Sequence, residues 1–119
     1  MNKALRLTVF LAFAALGACA GPGAGLGVTV RDEHFEVVKM LGPEEVAAFA
    51  RQWEAKAEVQ VPLRGEGGVH FKLDIDQSNR SSRWLYYTSG LVTRLDYKLR
   101  PVYRVRDVAA FNHLIGAKQ

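Results

Sequence analysis

The stretch from Val69 to Asp76 alternates without a break: Val69, Phe71, Leu73 and Ile75 are apolar, and His70, Lys72, Asp74 and Asp76 are polar. A strand sends successive side chains to opposite faces, so this pattern predicts a half-buried strand whose apolar face needs a cover. An amphipathic helix is present to supply one. Gly42-Pro43-Glu44-Glu45 reads as a helix start, with a permissive cap, proline in the first turn and carboxylates at the positive end of the dipole. Val46, Phe49, Ala50, Trp53 and Ala57 then recur at helical spacing. The spacing predicts one helix of about 13 residues with Trp53 as its core anchor.

Further strand signals surround this pair. Phe35 to Met40 is a short strand candidate, and Val59 to Leu63 is another, placed at an edge by Pro62. Gln77 to Ser81 reads as a polar loop leading into a strand over Arg83 to Tyr87. Thr88-Ser89-Gly90 suits a three-residue hairpin loop with Gly90 in the left-handed region. A third strand is expected over Leu91 to Leu99, with Leu91, Thr93, Leu95, Tyr97 and Leu99 on the core face and Val92, Arg94, Asp96 and Lys98 opposite. A short strand over Val102 to Val105 follows, then a last helix capped by Asp107, carrying Val108, Phe111, Leu114 and Ile115, and stopped by Gly116. The expected fold class is α+β: an amphipathic helix packed on an antiparallel β-meander, with a short C-terminal helix.

At 119 residues, the chain is one domain long. A 10% aromatic content and mixed charge argue against a disordered tail. One cysteine excludes an intramolecular disulfide and a cysteine-based zinc site.

That cysteine stands in a telling place. Lys3 and Arg6 are the only charges before Arg31, and an apolar run from Leu7 to Leu16 follows them, too short to span a bilayer. Leu16-Gly17-Ala18-Cys19 resembles the lipobox of bacterial lipoproteins. The resemblance covers the first twenty residues. It implies a signal peptide over 1–18, cleavage after Ala18, a diacylglycerol on the Cys19 thiol and acylation of the new amino terminus. Residues 19–27, rich in glycine, would then be a lipidated cysteine and flexible tether, and 28–119 a single folded domain. Ala20 in place of an aspartate implies onward transport to the outer membrane, so the expected place is the periplasm-facing side of that membrane.

The chemistry of the folded part points away from catalysis. His34, His70 and His113 are isolated, and no metal-ligand spacing appears. Asp74 to Ser78 opens like a calcium loop, but Asn79 stands where glycine is needed and Leu85 where a bidentate glutamate is needed. Gly65-Glu66-Gly67-Gly68 lacks the lysine of a phosphate loop and reads as a connector. No nucleophile elbow occurs. The expectation is a protein that is not an enzyme and needs no cofactor.

Charge is distributed unevenly. Val30 to Asp76 carries six basic and ten acidic residues, and Gln77 to Gln119 carries eight basic and two acidic. The two halves can complement one another within the fold. They can also leave a basic face interleaved with aromatics, for which Arg94, Lys98, Arg100, Arg83 and Tyr86 are the candidate binding residues. For an exported, anchored protein the fitting partners are an envelope protein or an anionic envelope surface rather than nucleic acid. The small lipoprotein subunits of envelope assembly machines offer a similar helix-on-meander plan. The first functional expectation is therefore a lipid-anchored, non-catalytic binding or accessory module. The second is a small enzyme inhibitor, or an apolar-ligand carrier with a cavity lined by Phe49, Trp53, Phe71 and Trp84.

Overall fold

A computed structural model describes residues 25–63, 68–96 and 98–117. The expected signal peptide, Cys19, the expected tether up to Ala24 and most of the expected Gly65 connector lie outside the described residues. The chain runs β1 (Leu26–Arg31), β2 (Val37–Met40), α1 (Pro43–Glu54), β3 (Ala57–Val59), β4 (His70–Gln77), β5 (Arg80–Tyr87), β6 (Leu91–Arg94), β7 (Val102–Arg104) and α2 (Val108–Leu114). All seven strands join one antiparallel sheet in the order β2-β1-β4-β5-β6-β7-β3. The architecture is α+β and strand-rich. Four of its strands, β4 to β7, are neighbours in chain order, and β1 and β2 extend the sheet on one side while β3 closes the other.

The alternation in β4 sets the two layers. Phe71, Leu73 and Ile75 are buried on the face that receives the helices, as the period-two pattern requires. Register carries that face across the sheet: Val28 lies opposite Ile75, Val30 opposite Leu73, and Tyr86 opposite Phe71. From the helical layer Phe49 of α1, Phe111 of α2 and Ile115 complete a core in which all three are fully buried. The helix starts as read. Glu45 Oε1 accepts from the Gly42 N–H at 3.0 Å, which satisfies one of the donors that a helix start leaves open. At α2, Asp107 accepts from the Ala110 N–H at 3.1 Å and Gly116 turns the chain at φ 79°. Lys39 then ties the two helices: its Nζ meets Glu45 at 2.6 Å in the first turn of α1 and donates to the Leu114 carbonyl at the end of α2.

Several expectations are corrected. β1 begins at Leu26, so part of the expected tether is a strand paired to β4. The strand placed at Phe35 starts at Val37, because the chain first makes a turn with Phe35 at φ 66°. Ala57 belongs to β3 and not to the helix. The loop expected over Gln77 to Ser81 is a two-residue turn, Ser78-Asn79, with Gln77 and Arg80 already paired. The hairpin loop Thr88 to Gly90 holds as expected, with Gly90 at φ 105°; a Cβ there would lie 2.6 Å from Val108. The largest change concerns the third strand. It ends at Arg94, and its register to β5 sets Val92 opposite Tyr86 and Arg94 opposite Trp84. Val92 therefore joins the helix-side core, the reverse of the expected facing. The Leu95 N–H still bonds the in-register Arg83 O and the Thr93 hydroxyl donates to Pro101 O just before β7, and between these points the chain runs outside the sheet. Leu99, expected inside, is 73% exposed; Tyr97 lies outside the described residues. Phe49, Trp53 and Trp84, expected to line a carrier cavity with Phe71, instead fill the interlayer space with one another, Phe49 stacking on Trp53 at 5.2 Å and Trp84 meeting Trp53 edge-on at 4.9 Å.

Candidate functional site

Both helices sit on one face of the sheet. The other face carries the polar half of the β4 alternation, and register arranges its neighbours in rows. Thr29, Asp74 and Arg83 form one row, Arg31, Lys72 and Leu85 the next, and Gly27, Asp76 and Ser81 the row on the far side. Opposite positions on adjacent strands lie within side-chain reach, and diagonal ones lie within reach of an arginine.

Asp74 is the centre of this face. Arg83 grips it in a fork, Nε to Oδ1 at 2.6 Å and Nη2 to Oδ2 at 3.0 Å. Arg31 reaches diagonally to Oδ2 at 2.8 Å and spends a second N–H on the Phe35 carbonyl at 2.9 Å. The hydrogen bonds from Arg83, with the one from Arg31, hold the Asp74 carboxyl below its ordinary range, against the burial that would raise it.

The β1–β2 turn folds over one end of the ladder. Asp32 organises it by accepting from the His34 and Glu36 N–H groups at 2.8 and 3.0 Å. The positive φ of Phe35 then lays its ring 4.4 Å from Lys72 Nζ and 5.2 Å from the Arg83 guanidinium. Lys72 is nearly buried and donates to the Glu33 carbonyl at 3.1 Å. Toward the other end lies a shallow concavity of about 460 Å³, lined by Thr29, Arg31, Asp74, Asp76, Ser81 and Arg83 among others. Ser81 donates to Asp76 at 2.5 Å, with no histidine beside the pair. Among the described residues, no group of three or more histidine, cysteine or carboxylate side chains is placed to hold a metal ion. The face offers fixed charges and hydroxyls: Asp74 held between Arg31 and Arg83, and Ser81 on Asp76.

The candidate residues read from the sequence do not come together. Arg83 is on the open face and committed to Asp74. Tyr86, one residue on, points to the helices, is fully buried and donates its hydroxyl to Asn112 Oδ1 at 2.5 Å. Burial pushes the Tyr86 phenol pKa upward. Arg94 lies on the helix-side face beside Trp84 and is paired with Asp96 at 2.7 Å. Lys98 and Arg100 are exposed in the irregular connection after β6. The expected single stripe of Arg94, Lys98 and Arg100 does not exist, because the strand that would have carried it stops at Arg94. Cys19 lies outside the described residues. Complementation between the halves of the chain is visible in the pairing of Arg83 with Asp74. Arg31 and Phe35 were missed, and the signal for Arg31 was the brief alternation Val28-Thr29-Val30-Arg31.

No known protein family, no curated protein and no solved structure matches this chain.

The Asp74 ladder makes a prediction. Asp74→Asn leaves two guanidinium groups facing each other without their carboxylate and is expected to cost about 1–3 kcal/mol, toward the lower end because both arginines are partly exposed. A carboxylate with a lowered folded pKa contributes its full stability above its unfolded value of roughly 3.9, and loses it as pH falls through the folded value. The gap between wild type and Asp74→Asn in thermal melts should therefore be constant from pH 7 to about 5 and shrink below about pH 4. A gap unchanged down to pH 2 would remove the ladder from the account.

Proposed function

We propose that this protein is a lipid-anchored, non-catalytic binding module of the bacterial envelope, held by Cys19 to the periplasmic side of the outer membrane. Its working surface is the sheet face opposite the helices, and its partner is an envelope protein or an anionic envelope surface. The observation that carries this reading is the one-sided architecture: a polar ladder, Arg31–Asp74–Arg83, stands at the middle of a face on which neither helix packs. The anchor adds a constraint. Cys19 precedes Leu26 by seven residues, an extended reach of roughly 25 Å at most. A module so tethered samples partners close to the membrane. Its energy of recognition comes from charge-assisted hydrogen bonds on a prearranged scaffold, which gives specificity at little ordering cost.

The test is placement of a photo-reactive residue at Ser81 or Tyr87 on the open face and at Arg51 or Glu54 on the helix surface, in the anchored protein in its own envelope. Discrete adducts confined to the open-face positions are expected. Adducts confined to the helix positions, or none at either, would contradict the assignment of this face.

A further inference from the structure

At the C-terminal end of α1, three aromatic rings from three separate elements converge on one ammonium. Lys56 Nζ lies 4.3 Å from the centroid of Trp53 of α1, 5.4 Å from that of Trp84 of β5 and 5.1 Å from that of Tyr103 of β7. The walls are steeply angled, Trp53 to Trp84 at 86° and Trp84 to Tyr103 at 59°, so they form a corner rather than a slot. All three rings are half-buried, which leaves part of each accessible from solvent.

Lysine is an imperfect tenant for this corner. A primary ammonium brings three N–H donors, and the aromatic walls supply π faces instead of acceptors. Among the described residues, its one hydrogen bond is to the Trp53 carbonyl at 3.2 Å. Among the described residues, no carboxylate comes within ion-pair distance of Nζ. Burial lowers the Lys56 pKa, against the charge of Glu54, which raises it. A quaternary ammonium has the opposite balance: no donors to satisfy, an apolar shell that sheds water cheaply, and a full charge for the ring faces. Lys56 sits on a flexible four-carbon stem between α1 and β3.

We propose that Trp53, Trp84 and Tyr103 form a binding site for a quaternary ammonium group, with Lys56 as a built-in occupant that the ligand displaces. The same chemistry is found in the phosphocholine headgroup of a lipid and in small soluble betaines. This site lies on the helix side of the sheet and is independent of the open-face reading.

The chain contains two tryptophans, and both line the corner, so tryptophan fluorescence, excited at the red edge where its four tyrosines do not absorb, reads this site. The full chain in a maltoside detergent would be titrated with tetramethylammonium, with ammonium chloride as the ionic-strength control. Saturable quenching by tetramethylammonium alone is expected. Lys56→Ala should tighten the apparent affinity about tenfold, since a competitor that fills the site nine-tenths of the time imposes that factor. In the Lys56→Ala chain, Tyr103→Phe should retain binding and Tyr103→Leu should weaken it about tenfold or more. Thermal melts of each variant establish that it is folded. A stronger response to phosphocholine than to glycine betaine supports a lipid headgroup as source, and the reverse supports a soluble solute. If folded Lys56→Ala shows no saturable response, or responds equally to ammonium, the corner is only the seat of Lys56 and the proposal is overturned.

Discussion

Phe111→Ala is expected to destabilise the domain by about 3–5 kcal/mol. Phe111 is fully buried, and its ring lies 4.8 Å from Tyr86, 5.5 Å from Phe49 and 6.2 Å from Trp53. It is therefore the point at which both helices and the sheet meet. The helix that carries it has seven residues, fewer than an isolated helix needs to persist in water, so α2 exists because its apolar face is packed. Losing the ring also loosens the polar lock behind it, where Asn112 accepts from Tyr86 and donates to the Thr88 carbonyl at 3.0 Å. Phe111→Leu, which keeps most of the volume, should cost less than about 1.5 kcal/mol. Chemical denaturation of both variants checks the pair. A loss below about 1 kcal/mol for Phe111→Ala would mean that α2 does not close the core.

Cys19→Ser carries the largest expected effect on where the protein resides. Under the proposed anchoring, the thiol bears a diacylglycerol and the amino terminus a further acyl chain. A single acyl chain gives marginal, reversible binding on the order of 10⁴ M⁻¹, whereas two or more hold a protein stably. The substitution should abolish labelling by radioactive fatty acid and block cleavage after Ala18. Fractionation with labelled fatty acid reads both. A Cys19→Ser protein that is still labelled and still cut at Ala18 would refute the lipobox reading.

The parts of this fold that were legible in the sequence are those whose signals are local. The β4 alternation, the Gly42-Pro43 start of α1, Gly90 in its hairpin and the Asp107 cap each lie within a few residues of what they determine. β1 was hidden because its alternation is brief and merges into a glycine-rich stretch; pairing with β2 and β4 makes it a strand. The run after Leu91 misled for the opposite reason. Apolar and charged residues continue to alternate past Arg94, but β6 ends there and the ladder to β5 reaches only one further bond, from the Leu95 N–H to Arg83 O. Tyr86 reads as a surface aromatic among arginines until Asn112, 26 residues on, reaches its hydroxyl. The centre of the candidate site was the least legible of all, since Arg31 and Asp74 are 43 residues apart and meet only through register.

Under the proposed anchoring, this one-sided domain works from a lipid on Cys19, and mass spectrometry of the protein extracted from membranes of its own host reads that lipid. The expected mature chain begins at Cys19, with residues 1–18 removed, the thiol carrying a diacylglycerol and the amino terminus acylated. A chain that retains Met1, or one cut elsewhere with an unmodified Cys19 thiol, would contradict the anchoring.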